Sequence, residues 1–167
     1  LRMIATDITQ RKRAEEALRE SEARYHSFFE TARDCIFITS KDGRWVHCNQ
    51  AAVELFGYES KEELMKVRIP DLYENPEDRK GHTQLIEKQG FVEDYAVNLR
   101  RKDGSIINAL ITSVVRKDER GNVVGYQGTI KDVTERKKMQ EQLMATDRLA
   151  SIGQLASGIA HELNNPL

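Results

Sequence analysis

Residues 123–137, VVGYQGTIKDVTERK, are the stretch from which the fold is most readily predicted. The first half is rich in β-branched and aromatic residues and predicts a strand. The second half is charged, lacks Gly and Pro, and predicts a helix. Thr134 lies at the change between them, where its hydroxyl is expected to accept from helical N–H groups two or three residues later. We therefore predict a strand that leads directly into a capped helix.

The same pattern occurs a second time, near the start of the chain. TDITQRKRAEEAL begins at Thr6 and matches KDVTERKKMQEQL, which begins at Lys131. Asp7 and Thr9 thereby correspond to Asp132 and Thr134. A repeat of this kind indicates that one structural unit occurs twice. We predict that residues 1–21 form a helix that follows an upstream domain of the same type, with Asp7 and Thr9 at that junction.

The segment between the two copies predicts an α+β fold. CIFITS and RWVHCN read as two strands joined by a Lys-Asp-Gly turn. Short helices follow. One has Ser60 as its cap with Glu63 three residues later, and another has Asn75 as its cap, Pro76 at its first position and Gly90 at its end. Three further strand-like runs are joined by the turn signals KDGS and ERGN. This order predicts an antiparallel sheet with helices over one face.

The elements and their motifs, from LFGY through RRKDGS to GYQGTIKDVTERK, resemble a PAS domain over residues 22–134. The resemblance implies a five-stranded antiparallel sheet that cups a small cavity against its helices. It also implies that Asp132 pairs with a nearby basic group. Asp132 and Thr134 would then couple the last strand to the following helix and relay a signal into it.

Both flanking segments carry apolar heptad seams, which are typical of coiled coils. We therefore expect the PAS fold to lie between N- and C-terminal coiled-coil-like helices that hold a parallel homodimer. His161 lies two residues beyond the seam position Ile159, about 200° round a helix, and is expected to point away from the seam. The two seams are Ala14, Leu18, Ser21, Tyr25 and Phe28, and Leu149, Ile152, Ala156, Ile159 and Leu163.

The run HELNN around His161 excludes one kind of metal site. A zinc protease helix places a second histidine four residues after the first, and that position here is Asn165. LASIGQLASGIAHELNNPL instead is similar to the phosphoacceptor helix of two-component sensor histidine kinases. The resemblance implies that His161 accepts the γ-phosphoryl group of ATP, and that Glu162 orients the ring and takes its proton. Asn165 would position the water that removes phosphate from the partner regulator.

This resemblance predicts a fragment of a larger kinase. Residues 135–150 would be a helical linker, and residues 151–167 the start of a truncated dimerisation and phosphoacceptor domain. ATP and Mg²⁺ would bind a catalytic domain outside the chain, since no Gly-rich phosphate loop occurs in it. We expect no autophosphorylation of the chain alone, and a response regulator receiver domain as its partner.

The ligand of the sensor domain is not evident from the sequence, and no bound cofactor is predicted. His82 lies where oxygen-sensing PAS domains carry a haem ligand, so haem stays an alternative. Cys48 lies near the reactive cysteine of flavin-binding PAS domains, but HCNQAA does not match that motif. We therefore expect an apolar packing role for Cys48. A non-catalytic ligand-binding or dimerisation module, haem-binding in one version, is the alternative function.

Composition excludes several other partners. The 27 acidic and 26 basic residues nearly balance, so no bulk field favours nucleic acid or an anionic membrane. No apolar run approaches the length of a membrane span. Two cysteines without metal-type spacing favour a reduced, cytoplasmic setting. A membrane anchor elsewhere in the whole protein stays open.

Overall fold

The computed structural model describes residues 1–165, and its element order is that of the predicted α+β fold. The domain is flanked by two long helices, α1 (Arg2–Thr31) and α5 (Thr134–Asn164). The strands are β1 (Cys35–Ser40), β2 (Trp45–Cys48), β3 (Phe91–Arg100), β4 (Ile106–Lys117) and β5 (Val123–Asp132). The shorter helices are α2 (Gln50–Phe56), α3 (Lys61–Leu64), a 3₁₀ turn (Ile69–Leu72) and α4 (Pro76–Gln89).

The five strands form one antiparallel sheet in the order β2-β1-β5-β4-β3. The last strand of the sequence therefore lies in the middle, between β1 and β4. Gly125 and Gly128 of β5 permit this arrangement. A Cβ atom at Gly125 would overlap the carbonyl oxygen of Thr39, and one at Gly128 would overlap that of Thr112. The two glycines of the GYQG motif thus let neighbouring backbones approach closely.

The predicted caps of the short helices are confirmed. The side chain of Asn75 accepts from the amide of Glu77 at 3.1 Å, Pro76 is the first residue of α4, and Gly90 ends it with φ of 86°. Ser60 caps α3 by accepting from the amide of Glu63. These local signals were readable from the sequence because each satisfies backbone groups that a helix end leaves free.

The hydrophobic core lies between one face of the sheet and the helices α2, α3 and α4. Trp45 of β2 meets Phe56 of α2 edge to face, with ring centroids 6.0 Å apart. Alternate residues of β3 and β4 face inward, among them Val97, Leu99 and Ile107. Their neighbours Asn98 and Asn108 therefore face outward, on the side of the sheet opposite the core.

The flanking helices differ from the domain in burial. Helix α1 buries one residue, Phe29, and α5 buries none among the residues described. The predicted seam positions are largely exposed, including Leu18 and Tyr25 of α1 and Leu149, Ile159 and Leu163 of α5. Long helices whose apolar stripes face solvent are typical of coiled-coil partners.

Candidate functional site

The junction between β5 and α5 is a compact hydrogen-bonded turn. Asp132 Oδ1 accepts from the amide of Thr134 at 2.9 Å and from its hydroxyl at 2.6 Å. The hydroxyl of Thr134 in turn accepts from the amide of Asn108 at 2.9 Å. The expectation that the Thr134 hydroxyl caps α5 is therefore wrong. The helix begins at Thr134 itself, so the aspartate two residues before it accepts the free amide, and the hydroxyl ties the helix to β4.

The expected basic partner of Asp132 is Arg101, whose Nη2 lies 3.2 Å from Asp132 Oδ2. Arg101 belongs to the turn between β3 and β4. Its neighbour Lys102 donates its amide to the carbonyl of Phe56, at the end of α2, at 2.9 Å. The start of α5 is thereby connected through one turn to a helix of the core. The general pairing was expected from the resemblance, but the sequence does not say which basic residue it involves.

The corresponding residues of the first repeat copy, Asp7 and Thr9, do not form such a junction. Both lie within α1, and the hydroxyl of Thr9 donates to the carbonyl of Ala5 one turn earlier. The expected strand-to-helix change is therefore absent from residues 1–21 of the structure. Within the described chain this segment is exposed and has no neighbouring strand to pair with, so its helix-forming residues extend the helix to Arg2.

The last turn of α1 is attached to the domain by two kinds of contact. The ring of Phe29 stacks on His47 of β2 with centroids 4.6 Å apart. Glu30 accepts from Lys61 Nζ at 2.7 Å and from the amide of Gln50, at the start of α2, at 3.1 Å. Burial works against the charge, yet hydrogen bonding to Lys61 and Gln50 leaves the pKa of Glu30 below its usual value.

A small cavity lies inside the domain between the sheet and the helices. Its volume is about 30 Å³, which is room for one or two water molecules. Aromatic and aliphatic side chains form most of its wall. Five residues with polar groups also line it, namely Thr39, Trp45, Tyr73, Arg79 and His82. The guanidinium of Arg79 lies 5.9 Å from the ring centroid of Tyr73 and 5.5 Å from that of Tyr126.

His82 is a core residue of this cavity wall, only 1% exposed. Its Nε2 lies 3.0 Å from Ser113 Oγ on β4, while its Nδ1 is buried without a partner. Burial, with a smaller contribution from the charge of Arg79, lowers the pKa of His82 to about 4. The ring is therefore neutral at physiological pH.

This arrangement does not fit a haem. The nitrogen Nε2 of His82 is already hydrogen-bonded to Ser113. The cavity of about 30 Å³ is far below the roughly 300 Å³ or more of typical cofactor pockets. Haem binding would require the core to open. No group of three or more potential metal ligands occurs within residues 1–165.

The two cysteines are buried thiols. Burial raises the pKa of Cys48 to about 11 and that of Cys35 still further. Thiols are nucleophilic only as thiolates, so both side chains are unreactive near neutral pH. Cys48 packs in the core beside the start of α2, in agreement with the packing role that its sequence context favours.

His161 and Glu162 lie in the last turn of α5, and both are exposed. The helix ends at Asn164, and the amide of Asn165 donates to the carbonyl of His161 at 3.1 Å. Asn165 leaves the helical conformation with ψ of 65°, as expected for a residue that precedes a proline. Residues 166 and 167, which end the predicted phosphoacceptor segment, lie outside the described residues. The structure brings no other predicted site residue to His161.

Sequence reasoning missed the residues that hold the junction from the side of the sheet. Asn108 and Asn98 are directly opposite each other on β4 and β3. A signal for this pairing was present, since both asparagines lie five residues from Asp103 in the KDGS turn. What the sequence does not reveal is that Asn108 also contacts Thr134, 26 residues away.

Membrane-spanning character is absent from the described helices, none of which combines the necessary length and apolarity. Helix α1 and the first half of α5 are instead rich in charged residues. This finding concerns residues 1–165 only.

Comparison with known proteins agrees with the fold. The PAS domain family matches residues 33–135. The chain is 28% identical to Sporulation kinase A and 30% identical to Sporulation kinase E of Bacillus subtilis, over 99% and 98% of its length. It spans about a quarter of the length of these two relatives, 27% and 22%.

A solved structure has the same fold as this chain. The PAS domain of a protein from Colwellia psychrerythraea superimposes with a TM-score of 0.60 and 26% identity, covering 68% of this chain and 97% of that one. From its sheet order, its strand-to-helix junction and these matches, the chain belongs to the PAS domain family and is similar to the PAS-containing part of sensor kinases.

Proposed function

We propose that the chain is the sensor and relay segment of a two-component sensor histidine kinase. In the whole protein, His161 would accept the γ-phosphoryl group of ATP and pass it to the receiver domain of a response regulator. ATP and Mg²⁺ would be held by a catalytic domain elsewhere in that protein, in a cytoplasmic setting. The single observation that carries the proposal is the direct passage of the last PAS strand into one helix, Thr134–Asn164, that ends in an exposed His-Glu-Leu-Asn-Asn sequence.

The chemistry of the last turn supports a phosphoacceptor. An exposed neutral imidazole is a nucleophile near pH 7. Glu162, the next residue, supplies a carboxylate that can orient the ring and take its proton. Asn165 lies one turn beyond His161 and offers a carboxamide that both donates and accepts. Such a group suits the positioning of a water molecule during dephosphorylation.

The exposed stripes of α1 and α5 support a parallel homodimer. Leu149, Ile152 and Ile159 of α5 are each more than half exposed, and exposed apolar seams of this length are covered in stable proteins. A second copy of the chain aligned in parallel would cover them and leave His161 on the outer surface. Asp132 and Thr134 would then pass changes in the domain to both helices of the dimer.

The small cavity supports a second candidate function, a module that binds a small molecule without taking part in catalysis. The two functions are separable because the cavity lies in residues 37–130 and the acceptor lies at residue 161. A ligand that binds the cavity while His161 is never phosphorylated would favour this alternative.

Phosphorylation in trans tests the proposal. The purified chain is incubated with labelled ATP and Mg²⁺, alone and with the catalytic domain of a sensor histidine kinase. We expect no label alone, and in the mixture an acid-labile, alkali-stable label, as phosphohistidine gives. His161→Gln should abolish the label, and His26→Gln, an exposed histidine of α1, should retain it. Labelling that survives His161→Gln would overturn the proposal.

A further inference from the structure

A row of three side chains crosses the outer face of the sheet and ends beside the junction. Asn108 Nδ2 donates to Asn98 Oδ1 at 2.8 Å, and Asn98 Nδ2 donates to Glu74 Oε2 at 2.8 Å. Glu74 precedes the cap of α4, and Asn98 lies on β3, the edge strand of the sheet. The glutamate therefore reaches round the edge of the sheet to the face opposite the core. We call Glu74, Asn98 and Asn108 the amide ladder.

The Glu74 end of the amide ladder is attached to the wall of the cavity. The amide of Glu74 donates to the carbonyl of Asn98 at 3.0 Å, so the backbone and the side chain both hold this residue to β3. The preceding residue, Tyr73, forms a β-bridge with Leu99 and lines the cavity together with it. Any outward displacement of Tyr73 therefore acts on Glu74, its neighbour in the chain.

The Asn108 end is attached to the start of α5. The carbonyl of Asn108 accepts from the amide of Val133 at 2.8 Å, and its amide donates to Thr134 Oγ1 at 2.9 Å. The backbone of one residue of β4 thus holds both the last residue before α5 and its first residue. Its side chain at the same time belongs to the ladder.

The carboxylate of Glu74 gives the ladder its direction. An ionised carboxylate only accepts hydrogen bonds, so the Asn98 amide must turn its NH₂ group towards Glu74. Its oxygen then faces Asn108 and accepts from that NH₂ group. Consecutive hydrogen bonds of this kind polarise and strengthen one another. The orientation of both amides therefore depends on a charge at the far edge of the sheet.

We propose that the amide ladder Glu74–Asn98–Asn108 positions the start of α5 and couples it to the cavity wall at Tyr73. This inference extends the proposed relay and rests on it for its signalling role. It adds a route separate from the ion pair of Asp132 with Arg101. When the wall moves, Glu74 withdraws from Asn98, the amides lose their fixed orientation, and the hold of Asn108 on Val133 and Thr134 weakens.

Two nearly isosteric substitutions test the ladder. Asn98→Asp places a second carboxylate against Glu74 and removes the donor between them. Glu74→Gln combined with Asn98→Asp restores both hydrogen bonds. The one between positions 74 and 98 is reversed, because the glutamine donates to the aspartate, while Asn108 still donates to position 98. Gln127→Glu is the matched control. It makes the same amide-to-carboxylate change on an exposed position of β5, outside the ladder.

The readout is residue-resolved amide hydrogen exchange of the 167-residue chain, with the melting temperature measured alongside. Asn98→Asp should raise exchange about tenfold at the amides of Asn108, Val133 and Thr134, corresponding to the loss of about one hydrogen bond. Amides of β1, such as that of Ile38, should change much less. The double variant should restore most of the protection, and Gln127→Glu should leave it unchanged.

Two results would overturn the inference. One is unchanged exchange at Val133 and Thr134 in Asn98→Asp. The other is an equal rise throughout the sheet that the double variant does not reverse, since this is the signature of a merely structural role. The assay involves no phosphorylation, so failure of the ladder is distinguishable from failure of His161 as an acceptor. If Asn98→Asp raises amide exchange at Val133 and Thr134 while no phosphohistidine is ever found, the ladder is retained and the kinase function is rejected.

Discussion

The two long helices are attached to the same domain in physically different ways. Helix α1 is held by a buried aromatic ring, Phe29, which is 3% exposed. A half-buried ion pair between Glu30 and Lys61 also holds it. Helix α5 buries no described side chain and is held by directional hydrogen bonds around Asp132 and Thr134. Packing against a core resists displacement in every direction, whereas a few hydrogen bonds can exchange partners at small cost. We therefore expect α1 to be the fixed side of the domain and α5 the adjustable one.

The largest effect should come from removing the packed ring. Phe29→Ala should lower the free energy of unfolding by about 3 kcal/mol, because a buried aromatic side chain and its contact with His47 are lost. Urea denaturation measures this change. Phe91→Ala is the matched control, since its side chain is 54% exposed and lies outside both helix seams, and it should cost less than about 1 kcal/mol. Equal losses for the two variants would contradict the view that α1 is anchored by packing.

The stability of the domain should fall at acid pH because of His82 in its core. Because the folded pKa is about 4 and the unfolded value about 6.5, the unfolded chain binds a proton first as the pH falls. Stability is full above about pH 6.5 and declines towards pH 4, by about 2 kcal/mol between pH 7.5 and pH 5. Unfolding free energies measured across this range should show the decline in the wild type.

Two variants isolate this contribution. His82→Gln should flatten the decline between pH 6.5 and pH 5, since the titrating ring is gone. His26→Gln, exposed on α1, should keep the wild-type slope. The same slope in all three proteins would assign the acid sensitivity to groups other than His82.

The smallest effect on stability should come from a substitution at the start of α5. Thr134→Val keeps the shape of the side chain but removes the acceptor for the Asn108 amide and the donor to Asp132. We expect a loss of about 1 kcal/mol in unfolding free energy, with faster amide exchange concentrated at the start of α5. Thr146→Val, whose hydroxyl bonds only within its own helix, is the control. A loss as large as that of Phe29→Ala would show that α5 is anchored as firmly as α1.

Local signals explain why much of the fold was predictable. The caps at Asn75 and Gly90 and the turns at KDGS and ERGN depend on residues a few positions apart, and each satisfies or bends its own backbone. The same holds for the strand that ends at Asp132. These features combine into the PAS architecture because each is consistent with the others.

The junction was predicted in outline and misjudged in detail. Thr134 has the residue type and position of a cap, but its hydroxyl bonds to Asn108 of another strand. Thr9 has a similar local sequence, yet lies within a helix because no sheet is beside it. Similar motifs thus differ in structure when their partners are distant in sequence. The sequence does not reveal that His82 is buried or that Arg101 is the partner of Asp132, for the same reason.

The size of the cavity has a consequence for the kind of signal that the domain accepts. Room for one or two water molecules means that a guest of more than about three heavy atoms must push the walls apart, and the work of expansion is subtracted from its affinity. Two ligands of equal chemical character would then differ in affinity because of their size alone. The larger one would bind more weakly and yet displace Tyr73 further, so that strength of binding and strength of response would run in opposite directions.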